Sequence, residues 1–165
     1  MTKTLLLLRH GKSDWDRDTG RDRERPLAKR GRKAAKAVGH IIAQAGQVPD
    51  VVVTSPTVRT RETVSIAADA GDWSCRVRED DALYGAGAPD VIALMRAEPD
   101  TTEQLMLVGH EPTWSETVAA LIGGGVHRVP TGAVARIDLD VDSWSQVGPG
   151  TGRLIFLLPP RLLPH

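Results

Sequence analysis

Two histidines and a set of arginines stand at the ends of short apolar runs, and these are the residues in the chain suited to group-transfer chemistry. Arg9-His10-Gly11 closes one run, Gly109-His110 closes another, and a third ends in Thr54-Ser55-Pro56 ahead of Arg59. An arginine fork donates paired hydrogen bonds to neighbouring oxygens and stays charged at any working pH, which suits phosphate. A neutral imidazole is nucleophilic near pH 7, and its second nitrogen can be held by a carbonyl. Converging histidines and arginines therefore imply a phosphoenzyme, with the arginines spreading charge over fixed donors in a role other enzymes give to magnesium. No Cys/His cluster has zinc-ligand spacing, so the expected chemistry uses no metal and no cofactor.

The elements that must position these residues follow from the hydropathy pattern. Thr4 to Leu8, Val51 to Val53 and Leu105 to Val108 are brief, continuously apolar runs, as central strands buried on both faces should be. Helical stretches are predicted over Leu27 to Ala45 after an Arg-Pro start, Val58 to Ala70 after Ser-Pro, Pro89 to Ala97, and Thr113 to Ile122. Val134 to Leu139 and Leu154 to Leu158 read as late strands, separated by a Gly/Pro/Ser-rich loop from Ser143 to Gly152. The alternation predicts an α/β three-layer sandwich with a largely parallel central sheet and helices on both faces. Ligands in such sheets sit beyond the carboxyl ends of the strands. If the three early strands are neighbours, about 5 Å apart, Arg9, His10, His110 and the Ser55 to Arg61 segment share one crevice.

Composition bounds the rest. The 165 residues, 41% hydrophobic, suffice for one cored domain over 1–165, expected to be a monomer. Lys+Arg and Asp+Glu both total 21, so no global field draws the chain to nucleic acid or anionic lipid. The lone Cys75 forms no internal disulfide, which fits a reducing compartment. Leu5 to Leu8 is too short for a signal peptide core, and no apolar run reaches the roughly 18 residues that span a bilayer. The expectation is a cytoplasmic protein with no membrane partner. Trp15, Trp73, Trp114 and Trp144 follow no stacking pattern and are read as packing residues, with Trp114 as a residue to line the pocket. His40, His127 and His165 carry no motif and are read as structural or solvated. From Arg9 to Lys36 there are eleven Lys/Arg against five Asp/Glu, a local excess that either guides an anionic partner or is a solvated face.

The run Leu5 to Gly11 resembles the signature of the histidine phosphatase superfamily, also called phosphoglycerate-mutase-like. Ser55-Pro56 with Arg59 and Glu62-Thr63 resembles a second family motif, and Val108-Gly109-His110-Glu111-Pro112 resembles the motif of its second histidine. The resemblance spans nearly the whole chain. It implies that His10 is the nucleophile, that Arg9 and Arg59 bind phosphate, and that His110 contacts the phosphoryl oxygens. Arg25, in the run Arg25 to Gly31, resembles the arginine that short SixA-type members place near the phosphate. Ser13 matches a frequent family serine that hydrogen-bonds a phosphate oxygen, and Asp14 is a recurrent residue of the short subgroup with no assigned role. Arg59 and Arg61 cannot share a helix face, and the family pattern selects Arg59.

One departure bears on the substrate. Mutases and many phosphoester-cleaving members carry a glutamate in a Leu-x-Glu context about where this chain reads Asp80-Asp81-Ala82-Leu83-Tyr84-Gly85. No match to that acid is present. An alcohol leaving group needs a proton from a positioned acid, which contributes about 100-fold or more, whereas a phosphorylated imidazole leaves with a proton already on its ring. The missing acid and the lack of a lid insertion imply a SixA-like phosphohistidine phosphatase whose partner is a phosphorylated protein. Two alternatives stand beside it. One is a broad phosphatase for small phosphorylated molecules, with Asp80, Asp81 or Glu111 as proton donor. The other is a phosphate-sensing or scaffold protein that lost turnover, against which the intact Arg9, His10, Arg59 and His110 argue.

Overall fold

The computed structural model describes residues 2–17 and 20–164, so His165 lies outside it. In chain order the elements are β1 (Lys3–Arg9), α1 (Lys29–Gln44), β2 (Val51–Thr54), α2 (Val58–Gly71), β3 (Arg76–Glu79), α3 (Ala88–Arg96), β4 (Gln104–Gly109), α4 (Thr113–Ile122), β5 (Val134–Leu139) and β6 (Gly152–Leu158). The sheet runs β3-β2-β4-β1-β5-β6. Its first four strands are parallel, while β5 is antiparallel to β1 and β6 to β5. The expected α/β sandwich is thus present, with an antiparallel pair at one edge.

The leucines of β1 explain the layering. Side chains alternate across a strand, so Leu5 and Leu7 pack with Val91 and Met95 of α3 and Val118 and Leu121 of α4. Leu6 and Leu8 point the other way, into a second core with Val38 and Ile42 of α1 and Val64 and Ala67 of α2. All four are fully buried, each stabilising the fold by about 1.5–3 kcal/mol. Helices cover both faces because the strand is apolar on both.

Two differences from the expected elements have physical reasons. β3 has no apolar run to reveal it: it is an edge strand, pairs only with β2, and all four of its residues are exposed. Charged residues such as Arg76, Arg78 and Glu79 are typical of edges that must not recruit further strands. α1 starts two residues later than the hydropathy suggests, because Leu27 is held extended in a bridge with Ser13. The Ser143 to Gly152 connection contains a single turn, Trp144–Gln146, whose fully buried tryptophan donates from Nε1 to the Thr102 carbonyl at 2.7 Å. Among the described residues no helix is long and apolar enough to cross a membrane.

The start of α1 packs backbone to backbone on the loop that leaves β1. A Cβ on Gly31 would stand 2.2 Å from the Lys12 carbonyl oxygen, and one on Gly11 would stand 2.6 Å from that of Gly31. Only glycine permits this approach at both positions.

Candidate active site

Arg9 pairs in register with Gly109, so His10 and His110 leave adjacent parallel strands side by side. Their ring centroids lie 5.4 Å apart, with planes tilted 55°. β2 flanks β4 and ends at Thr54, and the turn through Ser55-Pro56-Thr57 leads into α2. The Thr57 side chain caps that helix by accepting from the Thr60 N–H. The capped first turn carries Arg59, which is 5% exposed. Arg9, His10, Ser13, Arg25, Arg59 and His110, the six residues anticipated from sequence, all line one cleft of about 650 Å³.

His10 is itself 7% exposed, and its Nδ1 lies 2.7 Å from the Gly11 carbonyl oxygen. A carbonyl can only accept, so Nδ1 carries the proton and Nε2 keeps its lone pair. Burial lowers the ring's pKa to about 3 against the pull of the Gly11 bond, with help from the neighbouring His110, Arg59 and Arg9. The ring is therefore neutral at pH 7. His110 is lowered to about 4 by burial and then by Arg59. Its Nε2 lies 2.8 Å from the Ser55 hydroxyl and its Nδ1 3.5 Å from the Arg59 guanidinium.

Arg9 has its own anchor, while Arg25 and Arg59 share the Asp22 carboxylate. Arg9 donates from NH1 to the Val129 carbonyl at 3.0 Å. Arg59 donates to the Asp22 carbonyl at 2.8 Å and to its carboxylate at 3.0 Å. Arg25 donates to that carboxylate at 2.6 Å and to the Ser13 hydroxyl at 3.1 Å, with its guanidinium 3.6 Å above the Trp15 ring. The Nε atoms of Arg9 and Arg59 are buried donors without a hydrogen-bond partner among the described residues. Leaving such a donor unsatisfied costs about 1–3 kcal/mol.

Asp22 is the residue that sequence reasoning missed. Besides joining Arg25 to Arg59, its carboxylate accepts from the Tyr84 hydroxyl at 2.8 Å. Its partial burial alone would raise its pKa, yet the bonds from Tyr84, Arg25 and Arg59 outweigh this and hold the carboxyl well below the usual range. One wall of the crevice, for which no lid insertion was expected, is thereby tied across, from the Asp22–Glu24 turn to α2 and Tyr84. The only sequence signal was an acid three residues before Arg25 in a charge-rich loop.

The remaining motif residues fall into place as supports. Thr63 accepts from the Gly11 N–H at 3.1 Å and donates to the Arg59 carbonyl at 2.7 Å, tying the loop after β1 to α2. Glu62 accepts from the Leu27 N–H at 3.0 Å. Arg61 is exposed, as the face argument required, and pairs with Glu79. Asp14 does not line the cleft and accepts from the Asp16 N–H. Asp80 accepts from the Ala82 N–H, Asp81 pairs with Arg23, and neither lines the cleft. Glu111 does line it, but both its carboxylate oxygens bond to Ser115, one to the N–H at 2.7 Å and one to the hydroxyl.

Two expectations about tryptophan are corrected. Trp114 does not line the cleft: it is fully buried, donates to the Leu8 carbonyl at 2.9 Å, and fills the space that a side chain at Gly109 would occupy. Trp15, read as a packing residue, is 69% exposed and lines the cleft beneath Arg25. Among the described residues no three His, Cys, Asp or Glu side chains group as metal ligands.

With this geometry in view, comparison with known proteins is informative. Residues 5–87 match the family model of the histidine phosphatase superfamily (branch 1), and the chain belongs to that superfamily. Within it, a structure assigned as phosphohistidine phosphatase SixA from Nakamurella multipartitia superposes with a TM-score of 0.83 at 27% identity, covering 97% of each chain. A chloroplastic protein of Arabidopsis thaliana is 30% identical over 97% of this chain and 79% of its own length. A 2,3-bisphosphoglycerate-dependent phosphoglycerate mutase of a Nocardioides species is 35% identical over 65% of this chain but only 46% of its own length. Family and neighbours together point to a phosphatase.

Proposed function

We propose that the protein removes phosphate from phosphohistidine on another protein, by way of a phosphohistidine on its own His10 and without a metal ion. The observation that carries the reading is the pair of neutral histidines, His10 buried and His110 half-buried, 5.4 Å apart amid Arg9, Arg25 and Arg59. Nε2 of His10 attacks phosphorus in line; the substrate P–N bond breaks, and its electron pair returns to the substrate imidazole. Arg9, Arg25 and Arg59 balance the charge on the transferring oxygens. His110 contacts the same oxygens: an anion beside Arg59 draws the imidazole proton to Nδ1, and the Ser55 hydroxyl turns to donate to Nε2. Water then attacks the phosphorylated His10, releasing phosphate and restoring the ring. Ser13 acts on this reading chiefly by holding Arg25.

The substrate class rests on the cleft's acids. Of the anticipated donors only Glu111 reaches the cleft, and its oxygens are committed to Ser115, which argues against it as the proton donor to an alcohol leaving group. Glu116 of α4, not anticipated from sequence, also lines the cleft and is exposed there. The SixA-like neighbour supports the same reading. In keeping with it, the protein is proposed to act as a single-domain cytoplasmic monomer. A second reading, hydrolysis of small phosphoesters, draws on the positions of Glu111 and Glu116 in the cleft and on the mutase relative.

The experiment compares phosphate release from a phosphohistidine-bearing protein and from a panel of small phosphomonoesters, with EDTA present, for wild type, His10→Ala, Glu111→Gln and Glu116→Gln. Release from phosphohistidine alone, lost in His10→Ala and kept in Glu111→Gln and in Glu116→Gln, is the expected result. Preference for an ester, lost in Glu111→Gln or Glu116→Gln, establishes the second reading instead, and no turnover returns the phosphate-sensing alternative.

A further inference from the structure

A second cleft, of about 520 Å³, adjoins the catalytic one, and Lys12 and Thr131 line both. Its other walls come from distant parts of the chain: Arg30 and Lys33 from the first turns of α1, and Pro159, Pro160 and Arg161 from the segment after β6. Lys12, Arg30, Lys33 and Arg161 are all exposed, and none of the four forms an ion pair among the described residues. No acidic residue lines this cleft. That is a marked local imbalance in a chain whose formal net charge is zero. Four like charges around one concavity repel one another, and the cost is offset when an anion of complementary shape enters. The consecutive prolines supply a wall with little conformational freedom to lose.

We propose that this cleft docks the acidic surface flanking the phosphohistidine of the protein substrate, an inference that rests on the proposed function. Continuity through Lys12 and Thr131 means that one polypeptide can present its phosphoryl group to His10 while neighbouring carboxylates meet Arg30, Lys33 and Arg161. The excess of cations between Arg9 and Lys36 thereby acquires a role: part of it faces the substrate rather than bulk water. The walls do not belong to the machinery around His10, so the cleft can select a partner without altering the chemical step.

The test uses two labelled peptides carrying a non-hydrolysable phosphohistidine analogue, one flanked by glutamates and one by serines. Each is titrated by fluorescence anisotropy against wild type and the Arg30→Glu/Lys33→Glu/Arg161→Glu variant. Wild type should bind the glutamate-flanked peptide about tenfold or more tightly than its serine counterpart. The preference should vanish in the variant and fade in about 0.5 M salt, while the serine peptide binds both proteins alike. Equal binding of the two peptides to wild type, or binding of neither, overturns the proposal. A preference seen instead with alkane bisphosphates, lost in the variant, replaces the acidic protein with a small doubly phosphorylated ligand. Turnover of free phosphohistidine, measured alongside, separates the two claims. Absence of turnover both of it and of a phosphohistidine-bearing protein defeats the proposed activity, whereas the cleft is judged by the peptide difference; unchanged turnover of free phosphohistidine in the variant shows that the catalytic residues are intact.

Discussion

Replacing Asp22 should tighten the binding of phosphate-like anions. Its carboxylate lies 2.6 Å from one terminal nitrogen of Arg25 and 3.0 Å from one of Arg59, so a phosphoryl oxygen using the same arginines comes within about 5 Å of it. Two charges at that separation repel by about 1 kcal/mol in water and about 3 kcal/mol at the effective dielectric of a protein surface. The Asp22 side chain is 45% exposed, so solvent screening places the penalty near the lower end, at about 1–2 kcal/mol. Removing the charge should therefore strengthen inhibition by orthovanadate about 5- to 30-fold. Asp22→Asn retains an oxygen to accept from Tyr84 and Arg59 and isolates the charge; Asp22→Ala removes the bridge as well. Inhibition constants for both, at low and high salt, give the answer, and the gain should shrink as salt rises. Weaker vanadate inhibition in both variants would refute the reasoning, because it would mean that Asp22 serves mainly to hold the arginines in place.

Further outcomes follow from the same geometry. Ser55→Ala removes the hydroxyl 2.8 Å from His110 Nε2 and should lower kcat about 5-fold with little change in KM, as expected for one hydrogen bond of about 1 kcal/mol. Steady-state kinetics on a phosphohistidine substrate decide it, and an unchanged kcat removes the orienting role. Gly31→Ala forces a methyl group to within 2.2 Å of the Lys12 carbonyl oxygen and should cost about 1–3 kcal/mol, lowering Tm by several degrees in a calorimetric scan. His10 titrates near 3 in the folded protein against an ordinary 6.5, so between these values the unfolded chain binds the extra proton and stability falls as pH falls. The loss from His10 is on the order of 3 kcal/mol by about pH 4, and His10→Gln should flatten the dependence of urea midpoints across that window. An equal slope in the variant contradicts the burial of a neutral ring.

The sequence made the centre of the site readable and left its edge obscure, for a physical reason. His10, His110, Arg9 and Arg59 sit at or just beyond strand ends, where an apolar run stops at a polar residue, and parallel strands bring such ends together. The apolar runs of β1, β2 and β4 gave the central strands for the same reason, since each is covered on both faces. β3 carries charges on an edge and has no such contrast. Asp22 and Tyr84 meet across 62 residues through side chains in two loops, and nothing in the local pattern of either loop encodes that meeting. Trp15 was read as a packing residue because its partner is a cation rather than the core, which no local pattern marks. The roles of Glu62 and Thr63 were also hidden: the motif contained them, yet only the fold shows that they bond to backbone rather than to substrate.

The close approach of Gly11 to Gly31 has a consequence for how the enzyme fails on heating. The aim of the His10 ring depends on the Gly11 carbonyl, and that stretch of backbone rests on the backbone of α1 without a side chain between them. A contact made by side chains can loosen gradually as rotamers hop, but two backbones in contact separate only when the helix leaves. Catalytic competence and the folded core should therefore be lost in a single thermal transition, with no warm, folded, inactive state between them.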